Sequence, residues 1–112
     1  MDITFSFRKL AKQCNDSKTM TTTWGPIQAK KLRRRLDDLS AASTLEIMRT
    51  MFPGRCHELK GDRAGQISLD LEHPYRLVFE PANDPIPRKQ DGGLNWTAIT
   101  AVRIIGVVDT HD

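Results

Sequence analysis

No apolar run in the 112-residue chain approaches the ~20 residues a helix needs to cross a bilayer, so no membrane association is expected. The N-terminal stretch MDITFSF has an acid at its second position and no apolar segment ahead of a small-residue cleavage site. No signal peptide is expected from it. Cysteine is scarce: Cys14 and Cys56 are the two present, far apart in a chain without an export signal. That predicts reduced thiols in a cytoplasmic protein rather than a disulfide. There is no Cys-x-x-Cys and no His-x-x-x-His pair, and the adjacent Cys56 and His57 are poorly placed to converge on one ion. A metal site and a cofactor are therefore not expected, and nothing local activates either thiol as a nucleophile. The glycines of GDRAG do not make a phosphate loop, because the Gly-Lys-Ser/Thr ending is missing and a strand follows instead of a helix.

What is present fits one domain with one core: 38% hydrophobic and 28% charged residues. The net charge of +3 conceals an asymmetry. Through Arg63 there are 13 Lys and Arg against 7 Asp and Glu; after it, 4 against 7, so +6 gives way to −3. The basic excess gathers in AKKLRRRL and around RCHELKGDR, a pattern that attracts phosphate or an acidic partner.

ITFSF alternates as a half-buried first strand over residues 3–7. RKLAKQCND follows as a short helical piece, and SKTMTTTWG, polar and without a period, reads as a loop. Pro26 opens a helix whose apolar stripe is Ala29, Leu32, Leu36 and Leu39. Lys30, Lys31, Arg33, Arg34 and Arg35 fill the rest of its circumference. Asp37 and Asp38 oppose the helix dipole at a C-terminus, which argues that the helix continues past them. Thr44 to Met51 forms a further helix with Ser43 or Thr44 as cap, ended by FPG. The pattern then changes to period two. QISLDLE sets Ile67, Leu69 and Leu71 against Gln66, Ser68, Asp70 and Glu72, His73-Pro74 turns, and YRLVFE returns. A long loop, PANDPIPRKQDGGLNW, holds three prolines unsuited to a ladder. The last strand, from about Ala98 to Val108, is apolar on both faces and so expected to be central. The order predicts an α+β domain, helices packed on one face of a small, mostly antiparallel sheet.

Of three histidines, His73 is a turn residue, His57 lies among Arg55, Lys60 and Arg63, and His111 follows the last strand. A metal-free set of two imidazoles, cations and a strand-end aspartate suits RNA cleavage by the substrate's own 2′-hydroxyl. That reaction needs a proton acceptor, a donor for the departing oxygen, and cations about the phosphorane. Histidine can take either proton role near neutral pH.

The stretch RCHELKGDRAGQISLDLEHPYRLVFEP, joined to VRIIGVVDTHD, resembles the HigB group of the RelE/ParE toxin superfamily. The shared pattern is His-x-Leu-Lys-Gly-Asp-Arg-x-Gly (His57 to Gly65), an arginine after an aromatic residue (Tyr75-Arg76), and a terminal Asp-Tyr-His (here Asp109-Thr110-His111). The resemblance implies a RelE-like fold and a type II toxin that cuts mRNA in the ribosomal decoding site. It further implies a HigA-type helix-turn-helix antitoxin as partner, with operator DNA reached only through that antitoxin. Carried over by residue, His57 and His111 would transfer protons, assisted or oriented by Asp109. Lys60, Arg76 and Arg63 would hold the RNA phosphate, and Lys30, Lys31, Arg33, Arg34 and Arg35 would contact ribosomal RNA.

Thr110 departs from the usual tyrosine and removes a ring that could stack on a base, an effect of about 1–3 kcal/mol; Trp24 and Trp96 are candidates to replace it. Two other readings stay open. One is a non-catalytic relative that poisons DNA gyrase by protein contact. The other is a degenerate toxin that retains only antitoxin binding and operator regulation.

Overall fold

The computed structural model describes residues 1–109. Strand β1 (Asp2–Phe5) is followed by helices α1 (Arg8–Asn15), α2 (Ser17–Ala41) and α3 (Leu45–Met51), then β2 (His57–Glu58), β3 (Ile67–Asp70), β4 (Tyr75–Pro81) and β5 (Ala101–Asp109). The sheet runs β1-β5-β4-β3-β2. β1 pairs with β5 in parallel, and the other three pairings are antiparallel. This is the expected α+β arrangement, and β5 lies inside the sheet between β1 and β4 as its two apolar faces require.

One face of the sheet carries the core. Ile67, Leu69, Leu77, Phe79, Val102 and Ile104 meet Leu10 and Cys14 of α1, Leu32, Leu36 and Leu39 of α2, and Leu45 and Met48 of α3. All four residues of the α2 stripe are buried; each leucine there contributes roughly 1.5–3 kcal/mol. Thr44 caps α3 by accepting from the Ile47 amide.

Residues 17–24, expected as a loop, are helical. Asp16 ends α1 and begins α2, with the Thr19 hydroxyl on its carboxylate. The Thr21 and Thr23 hydroxyls fold back onto the carbonyls of Ser17 and Thr19. The threonines thus satisfy the turn before them instead of competing with it. Met20 and Trp24, one turn apart, supply the packing. The helix is interrupted at Gly25 (φ 82°, ψ 162°), so Pro26 opens a second segment as expected.

Two smaller differences are local. β1 ends at Phe5, not Phe7, because α1 begins at Arg8. Pro81 closes β4 opposite Val102, a strand-end position where its missing N–H is tolerated. Between Val78 and Phe79 the register with β5 shifts, leaving Ile105 as an extra residue. The shift lets Ile104 and Val107, three apart, both face the core. Among the described residues no helix is long and apolar enough to cross a membrane.

Candidate active site

The β2–β3 hairpin is short and tightly closed. Leu59 N–H donates to Gln66 O (2.8 Å), Gly65 N–H donates to the Glu58 carboxylate (3.2 Å), and a turn of 3-10 helix spans Gly61–Arg63. Gly61 and Gly65 take φ of 63° and 90°, which explains the two glycines in GDRAG without any phosphate role.

Register decides which side chains share a face. His57 opposes Ser68, Ser68 opposes Val78, and Val78 opposes Gly106; two residues along, Asp70 opposes Arg76 and Arg76 opposes Val108. Paired and alternate residues project to the same side. His57, Ser68, Asp70 and Arg76 therefore occupy the face away from the helices, as the strand parity of Arg76 predicts.

His57 is exposed at the sheet edge, with Nδ1 2.7 Å from the Arg55 carbonyl oxygen. A carbonyl only accepts, so Nδ1 carries hydrogen in this contact and the neutral ring keeps its lone pair on Nε2. The Arg55 guanidinium pairs with the Asp70 carboxylate through Oδ2, which holds Arg55 protonated still further above its ordinary range. Arg76 Nε lies 3.6 Å from Oδ1 of the same carboxylate, too far for a hydrogen bond. Asp70 Oδ1 and the Ser68 hydroxyl are buried with no hydrogen-bond partner among the described residues. Two guanidiniums thus flank one carboxylate, leaving a net charge of +1 beside an imidazole. Such a cluster can bind an anion, provided the anion competes with Asp70 for Arg76.

The expected site is only partly assembled here. Lys60 is exposed just before the 3-10 turn, whereas Arg63 is half-buried and donates to Gln66 (3.0 Å). Asp109 registers with Tyr75, whose parity is that of Leu77 on the core side. Three strand spacings, roughly 14 Å, separate its strand from His57. The structure does not bring Asp109 onto the His57 face. His111, with Thr110 and Asp112, lies outside the described residues. Trp24 and Trp96 both pack against the core, Trp96 beneath the Arg49 guanidinium at 4.5 Å, so neither stands among the His57-face residues. Tyr75, exposed and paired with Asp109, is an aromatic at that end of the sheet. Sequence reasoning missed the parts of Arg55, Ser68 and Asp70. The period-two pattern already set Ser68 and Asp70 on the polar face, but their grouping with Arg55 needed the fold.

The five cations in the 30–35 stretch of α2 are not equivalent. Arg35 is a correction: it is 7% exposed, and its Nε donates to the Asp70 carbonyl (2.9 Å). It braces α2 against β3 and offers no surface contact. Arg33 donates to the Cys14 carbonyl, and Lys31 pairs with Glu72 at 3.0 Å. Lys30 and Arg34 stay exposed without an ion pair among the described residues. With Ile27, Lys31 and Glu72 they line a shallow depression of about 220 Å³.

Burial pushes the Cys14 thiol up to about 11 and the Cys56 thiol up to about 12, only partly offset by Arg33 and Arg49. Both are free and buried, which makes them inert toward nucleophilic chemistry. Among the described residues no three His, Cys, Asp or Glu side chains are grouped to hold a metal ion.

No protein-family model and no curated protein matches the chain. Solved structures do. The fold is similar to that of a YoeB/ParE toxin from Agrobacterium tumefaciens, with TM-score 0.56 and 14% identity over 99% of this chain and 100% of that one. It is also similar to YoeB from Staphylococcus aureus, solved as a dimer, with TM-score 0.56 and 20% identity over 100% and 98%. At these identities the likeness is one of fold, and it extends over the whole length of each chain.

Proposed function

We propose that this protein is the toxin of a type II toxin-antitoxin pair and a metal-independent endoribonuclease that cuts mRNA on the ribosome. One observation carries the reading: exposed His57, its Nδ1 held 2.7 Å from the Arg55 carbonyl oxygen, stands on the same sheet face as Arg76, two strands across and one same-face row along. In this scheme Nε2 of His57 takes the proton of the RNA 2′-hydroxyl, and the freed oxygen attacks the adjacent phosphorus. Arg76 and Lys60 offset charge on the phosphorane, and His111 returns a proton to the leaving 5′-oxygen. Asp109, on the other parity, would act at the His111 end and not on His57. Lys30 and Arg34 are the cations of the 30–35 stretch left to meet ribosomal RNA. The resemblance to the HigB group and the toxin fold support the assignment, and with it a helix-turn-helix antitoxin of the HigA type.

Induced expression with 5′-end mapping of cellular mRNA tests it. The parent should arrest growth and yield new 5′ ends within translated codons, and His57→Ala and His111→Ala should yield neither while remaining folded. Full cleavage by both variants would contradict the assignment.

A second reading is favoured by Asp70, whose carboxylate draws on the charge Arg76 would offer a phosphate. A toxin that poisons gyrase by protein contact needs no open phosphate site. Inhibition of supercoiling by purified protein, unchanged in His57→Ala, would establish that reading instead.

A further inference from the structure

We propose that Arg55 is a positioning residue for His57 and acts through its main chain. Its left-handed backbone aims its carbonyl at Nδ1 and fixes the imidazole with the Nε2 lone pair outward. The inference rests on the reading of His57 as a proton-transfer group.

Arg55 has φ of +52° and is the non-glycine residue with positive φ among those described. L side chains enter this region rarely and at a cost. Gly54 before it is also positive, at 111°. Two consecutive inverted residues turn the chain so that the Arg55 carbonyl points forward to the ring two residues on, 2.7 Å from Nδ1. Asp70 holds this segment from both sides. Its N–H donates to the Gly54 carbonyl at 2.8 Å, and its carboxylate takes the Arg55 guanidinium. The long arginine side chain thereby anchors a backbone conformation that glycine or asparagine would adopt with less strain.

The consequence is chemical. Neutral imidazole in water prefers hydrogen on Nε2, the form in which that nitrogen cannot accept a proton. A carbonyl against Nδ1 disfavours that tautomer, because two lone pairs would meet. It remains bonded after Nε2 gains a proton, since Nδ1 carries hydrogen in both states. The ring is thus held in its proton-accepting form before RNA arrives.

Long-range proton–nitrogen correlation spectra of the labelled full chain, without RNA and in mildly alkaline buffer, report the His57 tautomer directly. The parent should show hydrogen on Nδ1. Arg55→Ala, which keeps a Cβ but loses the anchor, should move the ring largely to the Nε2–H form. Its kcat should fall on the order of tenfold, with KM little changed. Arg55→Gly and Arg55→Asn should retain the Nδ1–H form and most of kcat. An Nε2–H tautomer in the parent would overturn the proposal. So would identical losses in all three variants, which would mean that the guanidinium itself is what matters. Undiminished cleavage by His57→Ala would instead remove the functional reading, while the tautomer data would still decide what Arg55 does.

Discussion

The basic stretch of α2 and the polar face of β2–β4 invite the same description from sequence, a concentration of positive charge, yet the fold uses them differently. On α2 the charges are divided up. Arg35 is buried as a brace, Arg33 and Lys31 are tied to neighbours, and within the 30–35 stretch only Lys30 and Arg34 face solvent unpaired among the described residues. On the sheet face the charges are gathered, with Arg55 and Arg76 drawn to one carboxylate next to His57. A count of cations predicts attraction to phosphate in both places. Register and partners separate the two, and the proposed function puts chemistry on one and at most binding on the other.

The largest effect that would sharpen this contrast is on the sheet. His57→Ala should lower mRNA cleavage by about 10²–10⁴-fold, the usual contribution of a positioned proton-transfer group, while the urea midpoint stays near that of the parent because the ring is exposed. Next is the brace under α2. A Cβ at Gly54 would come within 2.9 Å of Arg35 Nε and 3.2 Å of Leu69 Cδ2, at a φ of +111°. Gly54→Ala should therefore cost ~2–4 kcal/mol in denaturant unfolding. A gentler loss should come from alkali. The folded chain keeps protons on Cys14 and Cys56 to about 11 and 12, whereas the unfolded chain releases them near 9.0. Their contribution is fully present below about 9 and is lost as pH rises toward 11–12, on the order of a few kcal/mol in all. Stability measured against pH in Cys14→Ala/Cys56→Ala should fall less steeply across that window. The smallest effect belongs to the α2 surface. Lys30→Ala/Arg34→Ala should change stability by less than about 0.5 kcal/mol. It should flatten the salt dependence of ribosome binding by roughly 1.5 in log–log slope.

The same contrast shows what a single sequence can disclose. Ala29, Leu32, Leu36 and Leu39 were legible because a helical stripe is a local, periodic signal. Arg76 was legible for the same reason at period two. The helix over residues 17–24 was hidden because threonine is a weak helix former; its anchors Met20 and Trp24 take effect only once the core exists. The β5 register shift is invisible in a run of branched residues that looks apolar on both faces. Arg35 reads like its neighbours Arg33 and Arg34, and only the approach of Gly54 and the Asp70 carbonyl singles it out. In the candidate site, His57 and Lys60 came from a motif. The Arg55–Asp70 pairing joins residues fifteen apart and depends on hairpin register, which no local pattern encodes. His111 lies outside the described residues.

Single-turnover cleavage of a translated mRNA on purified ribosomes, at saturating protein, separates chemistry from binding in one experiment. The expected result is that His57→Ala stays at least about 10²-fold slower than the parent at saturation, while Lys30→Ala/Arg34→Ala recovers the parent rate once its weaker binding is overcome. The reverse pattern, with full-rate cleavage by His57→Ala and a persistent defect in the α2 variant, would contradict the assignment of the chemistry to the sheet face.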